Sequence, residues 1–217
     1  MIGLALLLLA TTSPDGRIVA DVNLDAAGRP GYTISLDAKP VLQRSQLGIV
    51  REDADFSRDL TLLSESDVEK IDESYELPNG KRRINRVSAN RRTYNLRAAS
   101  GEPLQIVFQV SNDGVAFRYH FPTTSSNVRR IREERSSYSF LPGTVAWLQP
   151  MSAAKTGWKE VNPAYEELYE KEIPVGTVSP TGAGWVYPAL FRSGDVWMLV
   201  SESGLSRNYC GTRLRSN

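Results

Sequence analysis

Five glutamates, Glu160, Glu166, Glu167, Glu170 and Glu172, crowd one short stretch of this 217-residue chain, and carboxylates so placed are candidates for acid–base work. Asn162 and Pro163 ahead of them read as a helix start, with an amide cap, a proline in the first turn and acidic groups near the positive end of the dipole. On such a helix Glu166 and Glu170, four residues apart, share a face from which Glu167 is displaced. Taken alone, the segment reads first as a solvated acidic turn. Arg118 with Glu133 or Glu134 is a second candidate, whose plainer reading is a buried strand arginine paired with a carboxylate for structure. His120 is the only histidine, so chemistry that needs histidines beside an acidic base has little to draw on. Cys210 is the only cysteine and has no histidine partner in a matching motif, which argues against a thiol nucleophile. Trp147, Trp158, Trp185, Tyr187 and Trp197 could stack on flat ligand faces, although in a sandwich such rings more often fill the core. No pair of carboxylates in the chain is assigned as acid and base.

The elements that must position these side chains are strands. In Ser111–Pro122, turn residues are followed by strict alternation: Val115, Phe117, Tyr119 and Phe121 fall on one face, Ala116, Arg118 and His120 on the other. Leu104, Ile106, Phe108 and Val110 alternate in the same way before it, and Asn112-Asp113-Gly114 tolerate the positive φ of a tight reversal. The pair reads as a β-hairpin. Further strand signals run over 17–24, 32–36, 40–42, 93–98, 137–140, 145–148, 185–191 and 196–200, with Gly, Pro, Asn and Asp between them and no long 3.6-residue period. The pattern predicts an all-β antiparallel sandwich.

Charge divides unevenly in the middle of the chain. Residues 52–76 hold ten acidic and two basic side chains, whereas 81–97 hold seven basic and none acidic. Opposite charges across paired strands stabilise by roughly 0.2–1 kcal/mol, so the segments read as acidic and basic stretches facing each other across Pro78-Asn79-Gly80. The alternative is a phosphate-binding patch of Lys81, Arg82, Arg83, Arg86, Arg91 and Arg92 with Tyr94 as a stacking platform. The adjacent acidic block would repel nucleic acid. With a net charge of +1 and a pI near 7.8, no nucleic-acid partner is expected.

The ends suggest export. Ile2–Ala10 is an apolar run too short for a membrane span and is followed by Thr11, Thr12 and Ser13, which resembles the tail of a secretory signal without its basic start. Residues 1–12 are accordingly read as a signal-peptide remnant and 13–217 as one domain of an exported protein. An apolar first strand is the competing reading. One thiol cannot form an internal disulfide, so stability must come from a core that a chain of this length can build.

The strand Asp113-Gly-Val-Ala-Phe-Arg-Tyr119 resembles one in the amino-terminal domain of glycoside hydrolase family 97, a family of calcium-dependent α-glycosidases. Other segments resemble that domain in the same order: Ser13-Pro14-Asp15-Gly16, Gly28–Tyr32, Lys39–Leu42, Gln46–Ile49, Ile131–Glu134, Tyr165–Tyr169, Tyr187–Leu190 and Ser201–Tyr209. The resemblance implies a β-super-sandwich like that of the galactose-mutarotase-like fold. It implies a catalytic (β/α)₈ barrel as partner in the same polypeptide, and since no βα repeats occur here, an amino-terminal domain cut from a larger exported enzyme that is inactive alone. It further implies an α-linked oligosaccharide or α-glycoside as substrate, glucoside and galactoside, inverting and retaining all being open. It implies Ca2+, with one ligand from this domain at Glu166, or at Glu167 if the register slips by one. A carboxylate suits that hard cation. A free-standing, non-catalytic sugar-binding or scaffolding sandwich is the alternative.

Overall fold

In a computed structural model, which describes residues 9–152, 168–204 and 211–215, every strand pairing is antiparallel and no helix occurs among the described residues. The chain divides into two compact units, 1–139 and 140–217. The first unit runs through β1 (Leu9–Thr12), β2 (Ile18–Leu24), β3 (Pro30–Leu36), β4 (Lys39–Gln46), β5 (Ile49–Arg51), β6 (Thr61–Glu65), β7 (Glu69–Glu76), β8 (Ile84–Arg97), β9 (Pro103–Ser111), β10 (Gly114–His120) and β11 (Ile131–Glu134). Strand β12 (Ser139–Phe140) marks the boundary, and the second unit follows with β13 (Val145–Pro150), β14 (Glu170–Pro174), β15 (Trp185–Ser193) and β16 (Val196–Val200).

The first unit is a sandwich of two main sheets, with β5 and β11 paired as a third sheet of two strands. One has the order β1-β2-β3-β4, and the other the order β10-β9-β8-β6 with β7 also on β8. The alternation read in the hairpin places Leu104, Ile106, Phe108 and Val110 of β9 wholly inside, each burial stabilising by roughly 1.5–3 kcal/mol. Phe108 meets Tyr32 of the facing sheet at 5.7 Å and Tyr94 at 6.2 Å between ring centroids. Between Ser111 and Gly114 the hairpin closes through Asn112 and Asp113 without a positive φ at any of the three turn residues. The expected left-handed turn is replaced by one in which the Ser111 hydroxyl bonds to Asp113 and to the Gly114 carbonyl.

Leu9–Thr12, at the end of the leader-like stretch, pair with Val22–Val19 as the edge strand β1. Thr11 is fully buried with its hydroxyl 3.3 Å from the Tyr94 hydroxyl, and the Asn90 side chain donates to the Thr12 carbonyl at 2.7 Å. These residues belong to the sandwich. Gly28, in the turn before β3, has φ +62, and a Cβ there would stand 2.6 Å from the Leu60 nitrogen, so only glycine lets the two segments approach.

The second unit is a four-stranded sheet of order β14-β13-β15-β16. Ala146, Leu148, Trp185, Ala189 and Phe191 form its core, with Phe140 stacked on Phe191 at 4.1 Å. Leu214, among the last described residues, pairs with Trp185 at the start of β15.

Candidate functional site

The glutamate segment does not continue as a helix to Glu170. Residues 168 and 169 are irregular, and Glu170 opens β14, opposite Leu148. The shared helical face expected for Glu166 and Glu170 therefore fails at its second member, because Glu170 is held extended by the β13 ladder. Glu160, Glu166, Glu167, Trp158 and Cys210 lie outside the described residues. Beside them, Leu168 is exposed and the Tyr169 hydroxyl donates to the Pro188 carbonyl at 3.4 Å. Among the described residues no group of three or more His, Cys, Asp or Glu side chains could hold a metal ion.

The Arg118 reading is corrected. Arg118 is exposed on β10, not buried, while Glu133 takes Arg135 at 3.0 Å and Glu134 accepts from the Ser136 hydroxyl at 2.7 Å. The face opposite Arg118 carries the connected group. The Tyr119 hydroxyl accepts the Gly48 N–H at 2.8 Å and lies 2.7 Å from the Ser136 hydroxyl. Burial pushes the Tyr119 phenol far above its ordinary pKa, so it stays neutral and serves as a strut. His120 is exposed, with Nδ1 2.6 Å from the Gln105 side-chain oxygen.

Tyr94 is not a stacking platform. Only 1% exposed, it lies in the sandwich core, where burial raises its pKa. The basic run meets the acidic one across β7 and β8, with Glu69 opposite Arg91 and an ion pair between them at 3.5 Å. Arg92 binds Glu65 at 2.9 Å, and Arg83 binds Glu76. The pairing removes much of the free positive charge that a phosphate patch would need.

The aromatic set divides by strand alternation. Trp185 points into the second unit's core, whereas Trp147 and Trp197 stand on the sheet's other face, 4.9 Å apart between centroids. Sequence reasoning missed what joins them. Arg192 is opposite Trp197 in the ladder, and its guanidinium carbon lies 5.5 Å from the Trp147 ring and 5.4 Å from the Trp197 ring. It also donates to Glu172 at 2.6 Å. Glu172 sits where the β13–β14 register shifts and has φ +57, so a bulge aims its carboxylate at this group. Leu190 and Leu199 are opposite each other one row along the same face. Such a face offers aromatic stacking and a charge-assisted fork, with no nucleophile or acid–base pair among these residues. The available signal was the alternation itself: Phe191 and Met198 inward place Leu190, Arg192, Trp197 and Leu199 outward.

The family model described as Glycosyl-hydrolase 97 N-terminal matches residues 11–217. A probable retaining alpha-galactosidase of Streptomyces bingchenggensis (strain BCW-1) is 31% identical over 205 residues, covering 94% of this chain and 29% of that protein. The crystal structure of a beta-arabinopyranosidase superposes with TM-score 0.89 at 34% identity, covering 96% of this chain and 33% of that one. A glycoside hydrolase family 97 enzyme from Pseudoalteromonas sp. strain K8, in complex with panose, superposes with TM-score 0.68 at 23% identity over 86% of this chain and 27% of that one, and shares the fold. The chain thus spans about a third or less of the length of these relatives. With the antiparallel sandwich and a match from Thr11 to Asn217, the chain belongs to the glycosyl-hydrolase 97 N-terminal family.

Proposed function

We propose that this chain is the amino-terminal part of an exported α-glycosidase. Its catalytic carboxylates belong to a (β/α)₈ barrel in the same polypeptide, and this part walls the sugar pocket. The observation that carries the reading is the family match over 11–217 joined to the small share of each relative that the chain covers. The relatives at 31% and 34% identity are named for an α-galactoside and a β-arabinopyranoside. A β-L-arabinopyranoside has the ring configuration of an α-D-galactopyranoside without its hydroxymethyl group, so the reading favours galacto-configured substrates over glucosides. The test is hydrolysis of aryl α-galactoside, β-L-arabinopyranoside and α-glucoside by the full-length parent, and by the 217-residue chain as control. Activity of the isolated chain would overturn the reading, as would a parent inert toward all three.

The same reading gives Glu166 as this domain's ligand to Ca2+, with Glu167 the alternative. Calcium takes six to eight oxygens, so a single glutamate must be joined by carboxylates or carbonyls from elsewhere in the parent. When bound, the ion would act as an electrophile beside the leaving group. Glu166→Gln keeps the side-chain shape and removes the charge. It should raise the calcium concentration needed for activity in the parent, whereas Glu170→Gln, on β14, should not. An effect confined to Glu167→Gln would move the ligand by one residue; no effect from either would remove the metal role from this domain.

A further inference from the structure

Strand β8 outruns its partner on one side. On the other side β7 follows it from Ile84, opposite Glu76, to Arg91, opposite Glu69, whereas β9 joins only at Ala89, opposite Ser111, and then turns into β10 through Asn112 and Asp113. Residues 84–88 therefore have a strand on one edge and, among the described residues, none on the other. The register shows what that open edge presents. The Leu77 N–H donates to the Arg83 carbonyl at 2.8 Å, so Arg83 faces β7, and by the alternation of an antiparallel ladder Asn85 and Val87 do too. The N–H and C=O groups of Ile84, Arg86 and Ser88 point the other way, into an open notch of about 410 Å³ lined by Arg86, Val87, Ser88 and the turn residues Ser111, Asn112 and Asp113. All three of these β8 residues are exposed. Such a row of backbone donors and acceptors is a template for an added strand.

Charge selects the strand that fits. Arg83, Arg91 and Arg92 are held by Glu76, Glu69 and Glu65, but no carboxylate among the described residues pairs with Lys81, Arg82 or Arg86. Arg86 stands on the open edge itself, with the neutral Ser74 opposite it on β7. A residue facing Arg86 from an added strand would have its Cβ about 4.5–5.5 Å away, where a carboxylate is favourable and a second arginine is not. A second copy adding its own 84–88 edge is thereby disfavoured, since any register that pairs most of this short segment sets Arg86 against or next to Arg86. At the far end of the notch Asp113 repels an acid, so the negative charge belongs over Arg86 and toward Arg82 and Lys81. The ribbon's other edge belongs to β7, whose Asp72, Glu73 and Glu76 turn the same strand away. On the alternate face Val87 is half-buried and offers an apolar contact to the neighbouring positions of an added strand.

We propose that the open edge of β8 at Ile84, Arg86 and Ser88 binds an extended acidic peptide as an added antiparallel strand, with a carboxylate over Arg86 and apolar side chains alternating toward Val87. The backbone supplies the pairing, and the free arginine sets register and sign. The site uses no sugar and no catalytic residue, so it stands apart from the glycosidase reading.

The probe is a fluorescent octapeptide of alternating valine and glutamate, titrated into the full-length parent by anisotropy, with amide hydrogen exchange followed on the same samples. Without peptide, the amides of Ile84, Arg86 and Ser88 should exchange quickly while those of Asn85 and Val87 are protected by β7; with peptide the first three should slow by at least about tenfold. Arg86→Gln should weaken binding about fivefold and Arg86→Lys should restore most of it. N-methylation of the glutamates, whose N–H groups face β8 when a glutamate is opposite Arg86, should cost at least about tenfold in affinity, whereas N-methylation of the valines should cost little. Equal binding by both methylated peptides would leave charge attraction alone and overturn strand addition, as would absence of binding. Protection of Ile84, Arg86 and Ser88 in the parent before peptide is added would also overturn the proposal: the edge would then be occupied by the parent's own polypeptide or, if protection is lost on dilution together with a dimer in sedimentation, by a second copy.

Discussion

The β7–β8 ribbon and the outward face of the β13–β15–β16 sheet are both exposed, yet they manage exposure differently. On the ribbon, strand register puts Glu69 against Arg91, and further pairs join Arg83 to Glu76 and Arg92 to Glu65. Solvated charges of this kind satisfy one another and discourage a foreign strand from adding at the β7 edge. On the other sheet the exposed positions carry indole and isobutyl groups around one arginine, which water covers poorly. On the ribbon the exposed apolar residues Tyr75 and Ile84 stand among paired charges, whereas on the second sheet Trp197 and Leu199 flank a single arginine.

The largest effect expected from this contrast falls on the inward side of β15. Phe191→Ala should destabilise the full-length protein by about 3–5 kcal/mol in urea titration, the range for emptying a buried aromatic site. An equal loss from Leu199→Ala in the 217-residue chain would show that the two faces had been exchanged. Next comes the outward face in that chain, whose exposed Trp197 and Leu199 should make the chain self-associate at high concentration; Leu199→Lys should weaken that association by about tenfold or more, equivalent to ~1.4 kcal/mol, read by sedimentation. Unchanged association would point to another surface.

Smaller effects belong to the charged region. A double-mutant cycle on Glu65 and Arg92, whose side chains are 31% and 18% exposed, should give a coupling of about 1 kcal/mol, against ~0.3 kcal/mol for the more exposed Glu69–Arg91 pair. If the second pair coupled more strongly than the first, burial would not be ranking them. The smallest effect is on pH dependence. Burial works to raise the Asp55 carboxyl, but bonds from the Ser57 hydroxyl and N–H, with Arg58 and Arg135 nearby, bring it below the ordinary value. A depressed pKa in the folded state adds stability that is complete above the unfolded carboxylate's pKa of about 3.9 and is lost as pH falls through the folded value. Asp55→Asn should thus lower the urea midpoint at neutral pH and flatten its decline below pH ~4; an unchanged acid limb would exclude Asp55 as a contributor.

Much of this architecture was legible in residue order. Alternation alone located β9, β10, β15 and β16, because a side-chain period of two leaves one burial choice per strand. The facing of acidic and basic segments was legible from composition, although the extent of β7 was not, since Glu69–Glu76 has few apolar residues to betray a strand. Residue order alone did not mark β1, because a run of apolar residues looks alike in a membrane-directed segment and at the edge of a sandwich.

What the sequence by itself determined is the antiparallel β class, the hairpin and the family, each written in local order and carried by neighbouring residues. Which polar residues are free to act was decided only by tertiary structure. Tyr94 passed from stacking platform to core because β1 supplied Thr11 across 83 positions of chain. Arg118 passed from buried pair to exposed side chain because its expected carboxylates found Arg135 and Ser136 instead. Arg192 gained its place between Trp147 and Trp197 from ladder register, which brings together three strands that no spacing along the chain relates. Local pattern sets which way a side chain points, and only the packed fold determines what it meets there.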